Sequence, residues 1–217
     1  MNGNLYTEEL IARYPALSVV TGEIKAVYDL LHECFAAGGK LLVAGNGGSC
    51  ADAEHIAGEL MKGFVLGRHL AKDEKSALTR AHARGSEIAA KLQRGLPTIA
   101  LNAGGALGTA FSNDVCGGAD HVFAQQVFVL GREGDVFLGI STSGNSANIV
   151  NAAIVAKARG MRVAALTGAN GGELATIADA AVKAPATECY KVQEYHLPIY
   201  HCLCLMLESA FFGEKEE

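Results

Sequence analysis

Two groups of side chains in this sequence have the types and spacing to do chemistry. The first is the run Ser141-Thr142-Ser143-Gly144-Asn145-Ser146, with four hydroxyl residues in six positions. It follows an apolar run at 135–140 and precedes a helical stretch at 146–159. A turn that leaves a strand and opens a helix presents unpaired backbone N–H groups at the positive end of the helix dipole, and so forms an anion site. The hydroxyls add donors, and Gly144 lets the backbone come close to a ligand. An ordinary serine cap needs only Ser146, so the surplus of hydroxyls points to phosphate. The second group is His55 and Glu59, four positions apart and therefore on one helix face, together with Gln193, His196 and His201. An imidazole and a carboxylate at that spacing can serve one metal ion or one substrate. Gln193 and His201 are eight positions apart, about 12 Å along a straight helix. Both must lean inward to meet at one centre, and Pro198 between them is the place for a bend.

An earlier turn, Gly45-Asn46-Gly47-Gly48-Ser49, stands in the same relation to the apolar run at 40–45. It lacks the Gly-Lys-Ser/Thr of a Walker loop and is out of register with the dinucleotide fingerprint, which argues against nucleotide binding. A tight structural turn is one reading. The other is a sugar site in which Asn46 and Ser49 reach hydroxyl groups.

Elements must hold these groups in place. Apolar runs at 40–45, 97–101, 135–140, 162–166 and 178–182 read as five strands, separated by stretches of helical periodicity. That alternation predicts a single α/β domain over 1–217: a five-stranded parallel sheet with right-handed crossovers and helices on both faces, three layers in all. Ligands in such sheets bind outside the carboxyl ends of the strands, where both turns fall. The stretch 7–37 reads as one long leading helix with Pro15 as its weak point, and the final helix runs to Phe212. The charged stretch 67–95, after the first crossover helix, reads as a helical insertion, either a solvated amphipathic helix or a lid over the site.

Composition narrows the function. A formal net charge of -5 and a pI near 5.8 argue against a broad nucleic-acid or anionic-membrane surface, which needs clustered Lys and Arg. No apolar run reaches the roughly 20 residues of a membrane span, and the first residues lack a secretory signal pattern. The expected location is the cytoplasm. Six cysteines without a CxxC pair suggest neither a disulfide framework nor a cysteine-built zinc knuckle.

Taken in order, Gly45-Asn46-Gly47-Gly48-Ser49, His55-x-x-x-Glu59, the run from Gly139 to Ser146, Leu166-Thr167-Gly168 and Gln193-Glu194-x-His196-x4-His201 resemble the phosphoheptose isomerases of the sugar-isomerase (SIS) domain family. The resemblance covers nearly the whole chain outside 67–95. It implies interconversion of sedoheptulose 7-phosphate and D-glycero-D-manno-heptose 7-phosphate through an enediol, and a homotetramer with sites at subunit interfaces. It implies that Ser141, Thr142, Ser143 and Ser146 hold the phosphate, and that Asn46, Gly47, Gly48, Ser49, Asn113, Asp114 and Gln193 line the sugar. It also implies one zinc ion per subunit on His55, Glu59, Gln193 and His201, a mixed nitrogen and oxygen set acceptable to that metal. Isomerisation needs a base and an acid, and Glu59 and His201 are the candidates for those roles. Tyr190 and Lys191 stand where the family carries an acidic residue and then Arg, so the sequence also admits an isomerase of another phosphosugar. A third reading is a non-catalytic SIS-domain protein that binds phosphosugars or regulates a partner.

Overall fold

The computed structural model describes residues 2–102 and 104–213. The leading stretch is broken at its weak point. Helix α1 (Asn2–Arg13) gives way to a 3-10 turn (Pro15–Val20), and α2 (Thr21–Ala36) follows. Proline has no N–H to continue the helical ladder, so the chain restarts rather than bends. Strand β1 (Leu41–Gly45) leads through the glycine turn into α3 (Gly48–Met61). After the inserted stretch, β2 (Thr98–Ala100) closes the first crossover unit.

The insertion consists of α4 (Lys72–Ala81) and α5 (Gly85–Ala89). Helix α4 buries no residue, as a solvated helix should. The excursion is pinched at its base, where the Arg94 N–H donates to the Arg68 carbonyl at 2.7 Å and His69 bridges Gln93. It projects from the sheet without interrupting it.

Helices α6 (Ala106–Asp114) and α7 (Val122–Leu130) lead to β3 (Val136–Ser141) and α8 (Ala147–Ala158). They are followed by β4 (Arg162–Gly168), α9 (Gly172–Ile177), β5 (Ala180–Ala184) and α10 (Cys189–Phe212). All pairings are parallel, in the order β2-β1-β3-β4-β5. Alternate strand residues feed two separate cores. Leu41, Val43, Leu138, Ile140 and Leu166 face α1, α2, α3 and α10. Leu42, Ala44, Phe137, Val163 and Ala165 face α7, α8 and α9.

Most apolar residues of α10 are consumed within the chain. Leu203, Met206 and Leu207 are buried in the first core, because α1 and α2 both pack on that helix. Exposed apolar side chains include Phe128, Val129 and Ile154, which lie on other helices. All six cysteines are free thiols. Among the described residues no helix is long and apolar enough to cross a membrane.

One polar feature ties α3 to α10. Arg68 and Glu208 are 2% and 0% exposed and pair at 2.8 Å. Glu208 also accepts from the N–H groups of Phe64, Val65 and Leu66. Arg68 donates to the carbonyls of Leu60 and Glu59 at 2.6 and 3.0 Å, satisfying orphan acceptors at the end of α3. Burial alone would raise the Glu208 carboxyl pKa, but the Phe64 and Val65 N–H groups and Arg68 outweigh it and hold the pKa below the usual range.

Candidate active site

The strand order reverses between β1 and β3, which lie side by side with Gly45 opposite Ile140. A crevice opens at such a switch point. The glycine turn and the serine turn therefore meet, and with α10 they enclose a cavity of about 340 Å³ lined by Asn46, Gly47, Gly48, Ser49, Ile140, Ser141, Thr142, Ser146, Cys189 and Gln193. Three helices begin here: Gly48 opens α3, Ser146 stands at the N-terminal boundary of α8 without a side-chain capping bond, and Cys189 opens α10. Three positive dipole ends and a set of hydroxyls on one small volume favour a multiply charged anion.

Local bonds set the cradle's shape. The Ser141 and Ser146 hydroxyls are 2.9 Å apart, and Thr142 Oγ1 donates to Cys189 Sγ at 3.4 Å. The Asn46 and Asn148 side-chain amides bond reciprocally at 2.9 Å, clamping one turn to the other. Gly144 has a φ of +69°, and a Cβ there would run into the Gly171 carbonyl. The glycine is thus required by its own backbone and by packing against the turn after β4, rather than by close approach to a ligand. Ser143 lies outside the cavity, exposed, with its Oγ accepting from the Asn145 N–H at 3.1 Å. Asn113 and Asp114 are exposed at the end of α6, joined by a 3.0 Å bond, and neither lines the cradle.

Gln193 reaches into the cradle from α10. A Cβ at Gly48 would stand 2.6 Å from Gln193 Nε2. Gly48→Ala should therefore push this amide aside, moving only the end of a flexible side chain. Stability is expected to stay within about 0.5 kcal/mol of the parent. KM for a ligand of the cradle should rise about tenfold, the equivalent of one lost hydrogen bond. Urea denaturation and steady-state kinetics would check the two halves.

Further along α3, His55 and Glu59 form a second cluster with His201 of α10. His55 Nε2 is 3.3 Å from Glu59 Oε1, Glu59 Oε2 takes a 2.8 Å bond from Lys62, and the His55 and His201 rings are 5.0 Å apart, edge to face. His201 opens on a cavity of about 210 Å³ against α1, lined by Tyr6, Glu9, Arg13, Tyr14 and Pro198 among others. Burial, then the neighbouring His55, lowers the His201 pKa, so its imidazole tends to stay neutral with a lone pair free.

Gln193 thus sits with the phosphate-type cradle, two helical turns from His201, and α10 continues through Pro198 without interruption. His196 is fully buried, with its Nε2 3.2 Å from the Thr167 carbonyl. It belongs to the packing between α10 and β4.

Among the described residues no group of three or more His, Cys, Asp or Glu side chains is gathered closely enough to hold a metal ion as it stands. The donor set itself suits one. His201 Nε2 is buried and has no hydrogen-bond partner, and beside it are a second imidazole and a carboxylate, the combination that zinc accepts with a position left open.

Sequence reasoning missed Asp52 and Tyr200. Tyr200 Oη lies 2.9 Å from His55 Nδ1 and donates to Asp52 Oδ1 at 3.3 Å. Burial, then the Asp52 charge, pushes the phenol's pKa up, and burial raises that of Asp52. The spacing of Asp52 three residues before His55 was the available signal, but only the packing of α10 reveals its partner.

The fold and cradle define a doubly wound α/β protein with a hydroxyl-lined site at its switch point. The family model described as the SIS domain matches residues 6–94 and 75–168. Phosphoheptose isomerase of Aneurinibacillus thermoaerophilus is 39% identical over 183 residues, 84% of this chain and 79% of the relative. That of Geotalea daltonii is 39% identical over 193 residues, 89% and 86% of the two chains. The solved phosphoheptose isomerase of Neisseria gonorrhoeae superposes with a TM-score of 0.71 at 33% identity, covering 95% of this chain and 96% of its own. The chain belongs to the SIS domain family, among its phosphoheptose isomerases, and is an isomerase.

Proposed function

We propose that this enzyme interconverts a ketose phosphate and the matching aldose phosphate, with sedoheptulose 7-phosphate and D-glycero-D-manno-heptose 7-phosphate as its pair. The observation that carries the proposal is the division of one helix between two tasks. The first residues of α3 help form the cradle, while His55 and Glu59 lie seven and eleven residues further on, about 10 and 16 Å along the axis. A sugar long enough to reach from an anchored phosphate toward that pair suits this spacing better than a triose. The names of the relatives above support the heptose.

In this reading Ser141, Thr142 and Ser146 bind the phosphate, with Ser143 supporting the turn. Asn46, Gly47, Gly48, Ser49 and Gln193 line the adjoining sugar, and Asn113 and Asp114 are assigned to its far side. Glu59 takes the proton from C1 of the ketose and returns it to C2. His201, whose pKa is lowered by burial and by His55, passes the hydroxyl proton between O1 and O2, so that the sugar goes through an enediol without net gain or loss of protons. Zinc would be held by His55, Glu59 and His201, with Gln193 of the same helix as His201 as the proposed fourth donor. When bound it would polarise the carbonyl. To act as the base Glu59 would need a carboxylate oxygen free of the metal, since a fully committed carboxylate is a poor base. The homotetramer and a cytoplasmic location are part of the same proposal, and the exposed Phe128, Val129 and Ile154 offer apolar contact surface.

A panel of ketose phosphates of five, six and seven carbons tests substrate identity, with products followed by NMR. The heptose is expected to turn over fastest, with inorganic phosphate as a competitive inhibitor. Faster turnover of a shorter sugar would reassign the substrate. Saturable binding of every sugar without turnover of any would make the chain a binding protein.

A further inference from the structure

Tyr200 is used by neither the cradle nor the proton-transfer scheme, yet it is 1% exposed and its hydroxyl is placed between two residues of α3. A neutral phenol has one proton and two lone pairs, and an aspartate oxygen accepts. The phenol proton therefore goes to Asp52 Oδ1, and the phenol oxygen accepts from His55 Nδ1–H. A neutral imidazole carries one N–H. With that proton on Nδ1, the lone pair is on Nε2, which faces the Glu59 Oε1 acceptor at 3.3 Å, so two acceptors converge on one place that a cation would fill.

We propose that Tyr200 and Asp52 are positioning residues for His55, fixing its ring as the Nδ1–H tautomer so that the Nε2 lone pair is presented to the centre shared with Glu59 and His201. The inference rests on the reading of His55 as a metal ligand and deepens it. A histidine bound to metal through one nitrogen commonly donates from the other to a group that orients it. Here the phenol takes that place and the carboxylate orients the phenol.

Packing alone does not account for the arrangement. The Tyr200 ring meets the His55 and His201 rings edge to face, with centroids 5.5 and 5.1 Å away, and phenylalanine would make the same contacts. Asp52 adds an independent observation. Its Oδ2 is buried without a partner, so a carboxylate is kept in a place where a smaller or apolar residue would pack without that cost. The group it serves is the Tyr200 hydroxyl.

Two measurements on the full chain test this, using Tyr200→Phe, Asp52→Asn and Asp52→Ala. The first is the 15N chemical shifts of histidine-labelled, metal-free protein. His55 is expected to be protonated on Nδ1 in the parent and to move toward the Nε2–H form in Tyr200→Phe. The second is competition for Zn2+ against a chromophoric chelator. Tyr200→Phe is expected to weaken zinc binding about 10–100-fold, while the affinity for inorganic phosphate at the cradle stays within about twofold of the parent, since no phosphate contact is removed. Asp52→Asn, whose amide oxygen still accepts from the phenol, should keep more of the zinc affinity than Asp52→Ala. An Nε2–H tautomer for His55 in the parent, or zinc binding by Tyr200→Phe as tight as the parent's, would overturn the proposal. If the parent takes up no zinc, the metal reading fails, and the tautomer of His55 alone decides the role of Tyr200.

Discussion

Replacing Glu59 by Gln is expected to lower kcat by roughly 10²–10⁴-fold, the range lost when a positioned general base is removed. The side chain keeps its size and its place on α3 beside His55 and Lys62, so folding should be nearly unaffected. The proposed phosphate anchor is a separate set of groups near the first turn of the same helix. Binding of inorganic phosphate should therefore be unchanged. That split, with chemistry lost and the anchor retained, distinguishes a proton-transfer group from one that merely shapes the site. It would be read from single-turnover rates and from phosphate competition on the same preparation. Activity within about tenfold of the parent would remove Glu59 from the mechanism.

Glu208→Gln should produce the largest loss of stability, about 3–5 kcal/mol, because it leaves the Arg68 guanidinium buried without its counter-charge. For a chain of this length that corresponds to a fall in Tm of roughly 6–20 °C. The effect has a second reach. Arg68 holds the carbonyls of Glu59 and Leu60, so loosening it frees the end of α3 that carries the proposed base. Activity should fall more steeply with temperature than in the parent. The pH dependence has a definite sign. The Glu208 carboxyl is held below its ordinary pKa, so its contribution is fully present above the unfolded value near 4.5 and is lost as pH falls through the lower folded value. Acid unfolding of the parent should show this loss, and the variant should lack it. Urea denaturation at neutral and acid pH measures both.

Much of the fold was legible because its signals are local. Apolar runs followed by glycine or serine turns mark most of the strands, and Pro15 marks the break in the leading stretch. The cradle was legible for the same reason: hydroxyls packed after a strand have a physical meaning before any partner is known. Pairings over long separations left less trace. Glu208 is a lone acid in an apolar helix, which signals a buried partner, but nothing in the sequence says that the partner is Arg68. The Asn46–Asn148 and Tyr200–Asp52 bonds join residues 102 and 148 positions apart and depend on how α8 and α10 pack. Gln193 and His201 read as one motif, yet the uninterrupted α10 sets Gln193 at the cradle and His201 two helical turns further on.

Solvent isotope exchange addresses the central claim most directly. The parent enzyme is incubated with sedoheptulose 7-phosphate in deuterated water, and the sugars are read by NMR. The account predicts deuterium at C2 of the aldose phosphate and at C1 of the recovered ketose phosphate, with both signals lost in Glu59→Gln and suppressed by excess inorganic phosphate. Conversion without any solvent deuterium, or exchange that persists undiminished in Glu59→Gln, would contradict it.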